Sequence, residues 1–245
     1  MSTTGNASDI RLDSAQPDPR FAEELKAVFW LMHQVREGHK LPVTEAEAVA
    51  HSLFAAMRLT GPMTLPQLPL RRMAEYVAVH AINVSILAMA LAESAGVDHR
   101  AVRDIGLAGL LHDVGMARVP IELLAKADQL GEEERALIQR HPLEGARIIV
   151  EADAALELAA VVAYEHHLRP DRGGYPRLKY RRKPHYAARL VQLCDVYHAL
   201  RSPRPFRQPW PADLTFAFLN ERAGTEFDAD FTGKLVTLVK QHGIA

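Results

Sequence analysis

Seven side chains of metal-binding type recur along this chain at intervals of about one helix and one turn. They are His80, the adjacent His112 and Asp113, His141, the adjacent His166 and His167, and Asp195. His112 and Asp113 follow an apolar run, Ile105 to Leu111. A carboxylate buried there is costly unless it is paired or bound to a metal. Neighbouring residues on a helix point in different directions, so one ion, or two ions bridged by the carboxylate, could draw on both. Asp195 also sits in an apolar stretch, Val191-Gln192-Leu193-Cys194-Asp195-Val196. A lone histidine on an apolar face is ordinarily a core residue, but the joint pattern points to a metal centre. Imidazoles with carboxylates suit Fe, Mn, Zn or Ni rather than Mg or Ca. Seven such groups are too many for one ion and about right for two. The remaining histidines, His33, His39, His51, His99, His185, His198 and His242, lack this context and read as surface or loop residues.

A second feature follows the histidine pair. Arg169-Pro170-Asp171-Arg172-Gly173-Gly174-Tyr175-Pro176 reads as a loop whose glycines permit a tight backbone and close approach of a ligand. Arg177, Lys179, Arg181, Arg182 and Lys183 lie downstream, then Arg201, Arg204 and Arg207, making a local cationic patch. In Arg204-Pro205-Phe206-Arg207 an aromatic ring stands between two guanidiniums, which suits a phosphate beside a planar base.

These residues must be positioned by helices, because no convincing period-two alternation is present. Residues 1–20 are polar and Pro-containing and read as a disordered tail. Residues 21–70 read as an N-terminal helical pair and connector. The first helix runs from Phe21 to Val35; the second follows a capping box at Thr44-Glu45-Ala46-Glu47 and runs to about Leu59. Gly61-Pro62, Pro66 and Pro69 mark the connector. Residues 71–245 form the main domain. Its expected helices are Met73–Ala95, His99–His112 capped by Asp98, one opened by Gly131-Glu132-Glu133-Glu134, Leu143–Glu151, Ala154–His167, Tyr186–Leu200, and a last one capped by Asp228. An up-and-down arrangement of these helices could converge the seven ligands. The fold class is therefore all-α, a helical bundle with an N-terminal helical pair whose apolar stripes suit either the core or a homodimer interface.

The chain has 245 residues, 48% of them hydrophobic, enough for one large core. Its formal charge of −1 lacks the electrostatic footprint of a DNA or RNA binder. The single cysteine, Cys194, excludes an internal disulfide framework and fits a reducing compartment. No apolar run reads as a membrane span, and residues 1–18 lack the apolar core of a signal peptide. The expectation is a cytoplasmic protein with no membrane partner.

Taken in order, the motifs resemble the HD-GYP family of the HD phosphohydrolases. His112-Asp113 matches the HD pair and Gly174-Tyr175-Pro176 the GYP signature. His80, Leu111-His112-Asp113-Val114-Gly115, His141-Pro142, His166-His167, Asp171 before Gly174, Asp195-Val196-Tyr197, Arg204-Pro205-Phe206 and Ala223-Gly224-Thr225 follow the family order. The resemblance runs from about Arg71 to the C-terminus. It implies an HD-domain bundle with a bimetal or trimetal centre, here two divalent ions, Fe or Mn. It also implies hydrolysis of the second messenger cyclic di-GMP to pGpG and on to GMP. The implied ligands are His80, His112, Asp113, His141, His166, His167 and Asp195. His112 and Asp113 form the catalytic pair and Asp113 bridges the metals. Arg204 and Arg207 would hold phosphate or guanine, and Gly174, Tyr175 and Pro176 would line the substrate pocket.

The departures from the family lie around the ligands. Met116 stands where the family usually has Lys, Leu168 where it has Glu, Arg172 where it has Gly, and His198 where it has Asp. Two readings follow: a metal-dependent cyclic di-GMP phosphodiesterase, or a non-catalytic member that binds cyclic di-GMP or a signalling protein partner. A third ion in some members uses a Glu four residues before the first histidine. That place is Tyr76 here, and Glu75 lies roughly 140° from His80 around a helix, so two ions are expected.

Overall fold

The computed structural model describes residues 21–58, 65, 68–69, 75–124, 126, 128–180, 182–203 and 207–242. The expected tail at 1–20, most of the connector, and Arg181 and Arg204 lie outside the described residues. The helices are α1 (Ala22–Arg36), α2 (Val43–Ala56), α3 (Tyr76–Ser94), α4 (His99–Leu111), α5 (Ile121–Leu124), α6 (Glu132–Ile138), α7 (His141–Ala152), α8 (Glu157–Glu165), α9 (Tyr186–Arg201), α10 (Ala212–Glu221) and α11 (Ala229–Gln241). No strand occurs among the described residues, and the chain is all-α as expected.

The bundle is built around α3. Every residue from Ala78 to Ala92 is buried, so this helix is apolar on all sides because it has neighbours on all sides. It is long and apolar enough to cross a membrane by length and composition, contrary to the sequence expectation. Yet 83% of that window is inside the bundle, and its hydropathy belongs to a core helix. Two glycines let α4 come close. A Cβ at Gly109 would lie 3.2 Å from the Ser85 Cα, and one at Gly106 would strike the Met89 side chain. Ser85 Oγ then donates to the Gly106 carbonyl at 2.7 Å. Helix α9 packs on another side of α3, and α7 and α8 pair with each other, with α8 also against α4. Helices α1 and α2 bury Val28, Leu31, Val35, Ala46, Val49, Ala50 and Leu53 in the same continuous core as α3 and α4.

Local chemistry explains where the helix limits differ from expectation. Helix α2 begins one residue before Thr44, after Pro42, and no side chain caps it. The fixed φ of Pro42 sets the boundary and leaves Thr44 inside the first turn. Helix α8 starts at Glu157 because Asp153 turns the chain first, its carboxylate accepting the Ala155 N–H at 2.8 Å. The caps on Asp98 and Asp228 form as the sequence indicates. Helix α10, which sequence patterning did not reveal, lies just after Pro209 and Pro211 and buries Phe216 and Leu219.

Candidate metal centre

The seven expected ligands converge as two adjoining groups. Asp113, His141, His166 and His167 place one donor atom each within 4.8 Å of one another, and so do His80, His112 and Asp195. His112 terminates α4, and Asp113 opens a short 3-10 turn, Val114–Arg118. That turn is pressed onto the start of α7 at Gly115, where any Cβ would overlap the His141 carbonyl and crowd the Gly145 N–H. The close approach brings the Asp113 Oδ1 to 3.2 Å from His141 Nε2 and 3.5 Å from His166 Nε2. Asp113 Oδ2 lies 3.5 Å from His112 Nε2. Asp113 therefore reaches ligands of both groups, the position required of a bridging carboxylate. His80, from α3, and Asp195, from α9, meet at 3.0 Å.

Three of the histidines are oriented by backbone carbonyls. The Nδ1 of His112 bonds the Gly109 carbonyl, that of His141 the Ile138 carbonyl, each at 2.8 Å, and that of His166 the Ala163 carbonyl at 2.9 Å. A carbonyl only accepts, so each Nδ1 carries hydrogen and the neutral ring presents the Nε2 lone pair. The Nε2 atoms of His141 and His166 face each other at 3.2 Å. The Nε2 of His112 is buried with no hydrogen-bond partner among the described residues. Lone pairs converging on a carboxylate in a buried space require a cation between them. The donor set therefore fits metal, with three imidazoles and a carboxylate in one group and two imidazoles and a carboxylate in the other.

The electrostatics agree. Burial alone would push Asp113 up, but the imidazoles of His112, His141 and His166 around it hold it well below the usual carboxylate range. Asp195 is likewise pushed up by burial, its largest single influence, and brought down on balance by His80 together with His112 and His167. Burial lowers His166 and His167, the latter strongly, so both are neutral imidazoles able to ligate. Burial is the largest single influence on His141 and acts to lower it, but Asp113, the Ile138 carbonyl and Asp195 together raise it.

The loop after the histidine pair folds over this centre. Leu168 bridges to Gly174, which adopts φ +79° with its Cα against the His167 carbonyl, where any side chain would collide. The Tyr175 N–H then donates to the His167 carbonyl at 3.2 Å. The Tyr175 ring lies 4.4 Å from that of His167 and edge-on to His141 at 6.1 Å. Burial, with Asp113 and Asp195 nearby, pushes its hydroxyl well above the ordinary range, so it stays a neutral donor. Gly174 and Pro176 line a groove of about 450 Å³ with Arg169, Arg172, Arg177 and Arg182. Arg207 is engaged elsewhere: its guanidinium donates to the Ala199 and Leu200 carbonyls at the end of α9, at 2.8 and 3.2 Å. A phosphate contact there would compete with these bonds.

Four residues complete the surroundings, of which the sequence singled out His198 alone, as a departure from the family. His198, expected at the surface, is buried, with Nδ1 2.8 Å from His80 Nδ1 and Nε2 2.8 Å from Asn83 Nδ2. As a histidine one turn after Asp195 it falls on the same inner face of α9, which was the available signal. Asn83 stands three residues after His80, also one turn away. Gln192 ties the loop to α9 by donating to the Leu168 carbonyl at 3.0 Å. Glu165, fully buried, accepts the His185 N–H at 2.7 Å and pairs with Arg182. Tyr76 stacks on His80 at 5.3 Å, and Glu75 beside it is buried.

The helical bundle gathers histidines and aspartates around an adjacent His-Asp pair in two groups that could hold metal. Residues 52–231 match the family model described as HD domain, and the chain belongs to that family. It is 33% identical over 186 residues to the cyclic di-GMP phosphodiesterase PA4108 of Pseudomonas aeruginosa, covering 76% of this chain and 45% of the relative. It is 34% identical over 147 residues to the cyclic di-GMP phosphodiesterase response regulator RpfG of Xanthomonas campestris, covering 60% and 39%. A cyclic di-GMP phosphodiesterase of Thermotoga maritima is 31% identical over 164 residues, covering 66% and 44%. The chain thus spans less than half the length of these relatives. In fold it is similar to Bd1817, an HDG"Y"P protein from Bdellovibrio bacteriovorus, with a TM-score of 0.64 at 17% identity, covering 90% of this chain and 70% of that one.

Proposed function

We propose that this chain is a phosphodiesterase unit that opens cyclic di-GMP to linear pGpG, and on to GMP, with two divalent ions, Fe or Mn. The observation that carries the reading is the Asp113 carboxylate set between two groups of inward-facing imidazoles. His80, His112 and Asp195 would hold one ion, His141, His166 and His167 the other, with Asp113 shared. Bound metal of this kind supplies an activated water and neutralises charge on a phosphodiester. Asp113 and Asp195 remain ionised, and His166 and His167 neutral, so the protein presents ligands in their competent forms. Tyr175, a neutral hydroxyl over His167, can orient a phosphate oxygen or stack with a base. The relatives named as cyclic di-GMP phosphodiesterases support this choice of substrate.

The second reading is a binding module without turnover, and His198 favours it because a histidine occupies the position behind His80. One experiment separates the two. Protein loaded with Fe²⁺ or Mn²⁺ under reducing conditions is incubated with cyclic di-GMP and the products are resolved by chromatography. Conversion to pGpG is the expected result. Binding of the dinucleotide without conversion supports the module, and failure to bind either metal or dinucleotide overturns both.

A further inference from the structure

Among the described residues the hydrogen bonds behind His80 run in one consistent direction, and the Ser202 hydroxyl, 3.3 and 3.4 Å from the two His198 nitrogens, can donate or accept and opposes none of them. Asn83 faces the backbone of Leu68, its Oδ1 accepting the Leu68 N–H at 2.8 Å and its Nδ2 donating to the Leu68 carbonyl at 2.9 Å. This two-point contact fixes which end of the amide is oxygen. The second hydrogen on Nδ2 points to His198 Nε2 at 2.8 Å. An amide nitrogen only donates, so His198 Nε2 accepts and its ring hydrogen is on Nδ1. That Nδ1 lies 2.8 Å from His80 Nδ1, which must therefore accept. The Tyr76 hydroxyl, 3.3 Å from the same nitrogen, can donate to it as well. The His80 hydrogen is left on Nε2, directed at Asp195 Oδ1 at 3.0 Å.

We infer that the Leu68–Asn83–His198 relay sets His80 in the Nε2–H tautomer and makes the His80, His112 and Asp195 group the weaker of the two ion sites. Asn83 and His198 are positioning residues in this role; they act through His80. To turn the His80 Nε2 toward an ion, its hydrogen must move to Nδ1. His198 must then accept at Nδ1 and carry hydrogen on Nε2, facing the N–H of Asn83. Turning the amide over to relieve that contact would set its NH₂ against the Leu68 N–H and its oxygen against the Leu68 carbonyl. The connector backbone at Leu68 thus bears on the second ion. The Asp113 group has no such obstacle, since His141 and His166 rest on carbonyls that already hold hydrogen at Nδ1.

This inference rests on the metal-centre reading, and two measurements keep their failures apart. The first is the ring tautomers in metal-free protein by ¹⁵N-histidine NMR, with His80 assigned from His80→Gln. The expected result is Nε2–H at His80 and Nδ1–H at His166; Nδ1–H at His80 overturns the relay. The second is Mn²⁺ binding by calorimetry to the full chain and to His198→Asp. A carboxylate at 198 accepts from both Asn83 and His80 and donates to neither. The wild type should show two unequal sites, and the variant should tighten the weaker one by about tenfold or more, the scale typical of an outer partner of a metal ligand. An unchanged weaker site in His198→Asp overturns the inference. If the tautomers are as expected but no Mn²⁺ binds anywhere, the metal-centre reading fails and the inequality with it, while the relay stands.

Discussion

The Asp113 group and the His80 group use the same residue types but are held by different means. His112 and His166 sit at the ends of α4 and α8, and His141 follows the end of α6. The last carbonyls of a helix have no partner within it, so Gly109, Ile138 and Ala163 are available to fix each Nδ1. His80 lies inside α3, where the nearby carbonyls are taken by the helix itself. Its Nδ1 makes its shortest contact with another element, at His198 on α9, the Tyr76 hydroxyl of α3 lying farther off at 3.3 Å. A histidine at a helix end carries its orientation with it. One in mid-helix takes its orientation, and its tautomer, from the tertiary neighbours.

The sharpest way to break this comparison is to remove the residue the two groups share. Asp113→Ala should abolish loading at both, a larger loss than the roughly 10–100-fold expected from deleting an outer partner. Metal stoichiometry in folded, monodisperse protein checks this, and two equivalents per chain in the variant would show that Asp113 does not bridge. By contrast, His80→Ala should empty one site and leave the other near full occupancy.

A smaller effect should come from the turn that presents Asp113. Gly115→Ala places a methyl group into the His141 carbonyl and the Gly145 N–H. Both are backbone, so the turn must lift off α7, at a cost of about 2–4 kcal/mol in stability and with loss of metal preferentially from the Asp113 group. Denaturant unfolding together with metal analysis reads both. An unaltered midpoint would mean the turn has room to move.

The smallest effect is expected at Cys194, next to Asp195 on α9 but facing the apolar core. Its thiol is fully buried, and burial, with Asp195 nearby, pushes it well above the usual thiol range. Cys194→Ala should cost about 1 kcal/mol and leave both metal sites as in the wild type. Metal loss in that variant would indicate that the comparison depends on helix packing rather than on ligands.

Much of the centre was legible in the chain because its residues announce themselves locally. An adjacent His-Asp or His-His pair after an apolar run is hard to bury without a ligand, and the four residues of the two pairs meet with His80, His141 and Asp195 in two adjoining groups. Helix existence followed from apolar periodicity and from Asp98 and Asp228 as caps. Less legible were features whose cause lies elsewhere in the fold. His198 carries no local mark that separates it from a surface histidine, since its burial depends on α9 packing against α3. Helix α10 was hidden because its two buried apolar residues are too few to raise a periodic signal. Arg207 looked like a phosphate ligand by composition, yet the carbonyls at the end of α9 claim it.

By itself the sequence determined which atoms can ligate, that helices carry them, and that the HD pair ends α4. These follow from residue type and from interactions spanning three or four positions. Only the tertiary structure decided how the ligands divide into two groups around Asp113, and in which direction hydrogen runs from Leu68 to His80. Those depend on the approach of α3 to α9 and of the Gly115 turn to α7. Contacts between residues 25 to 118 positions apart are set by packing, and no local pattern encodes them.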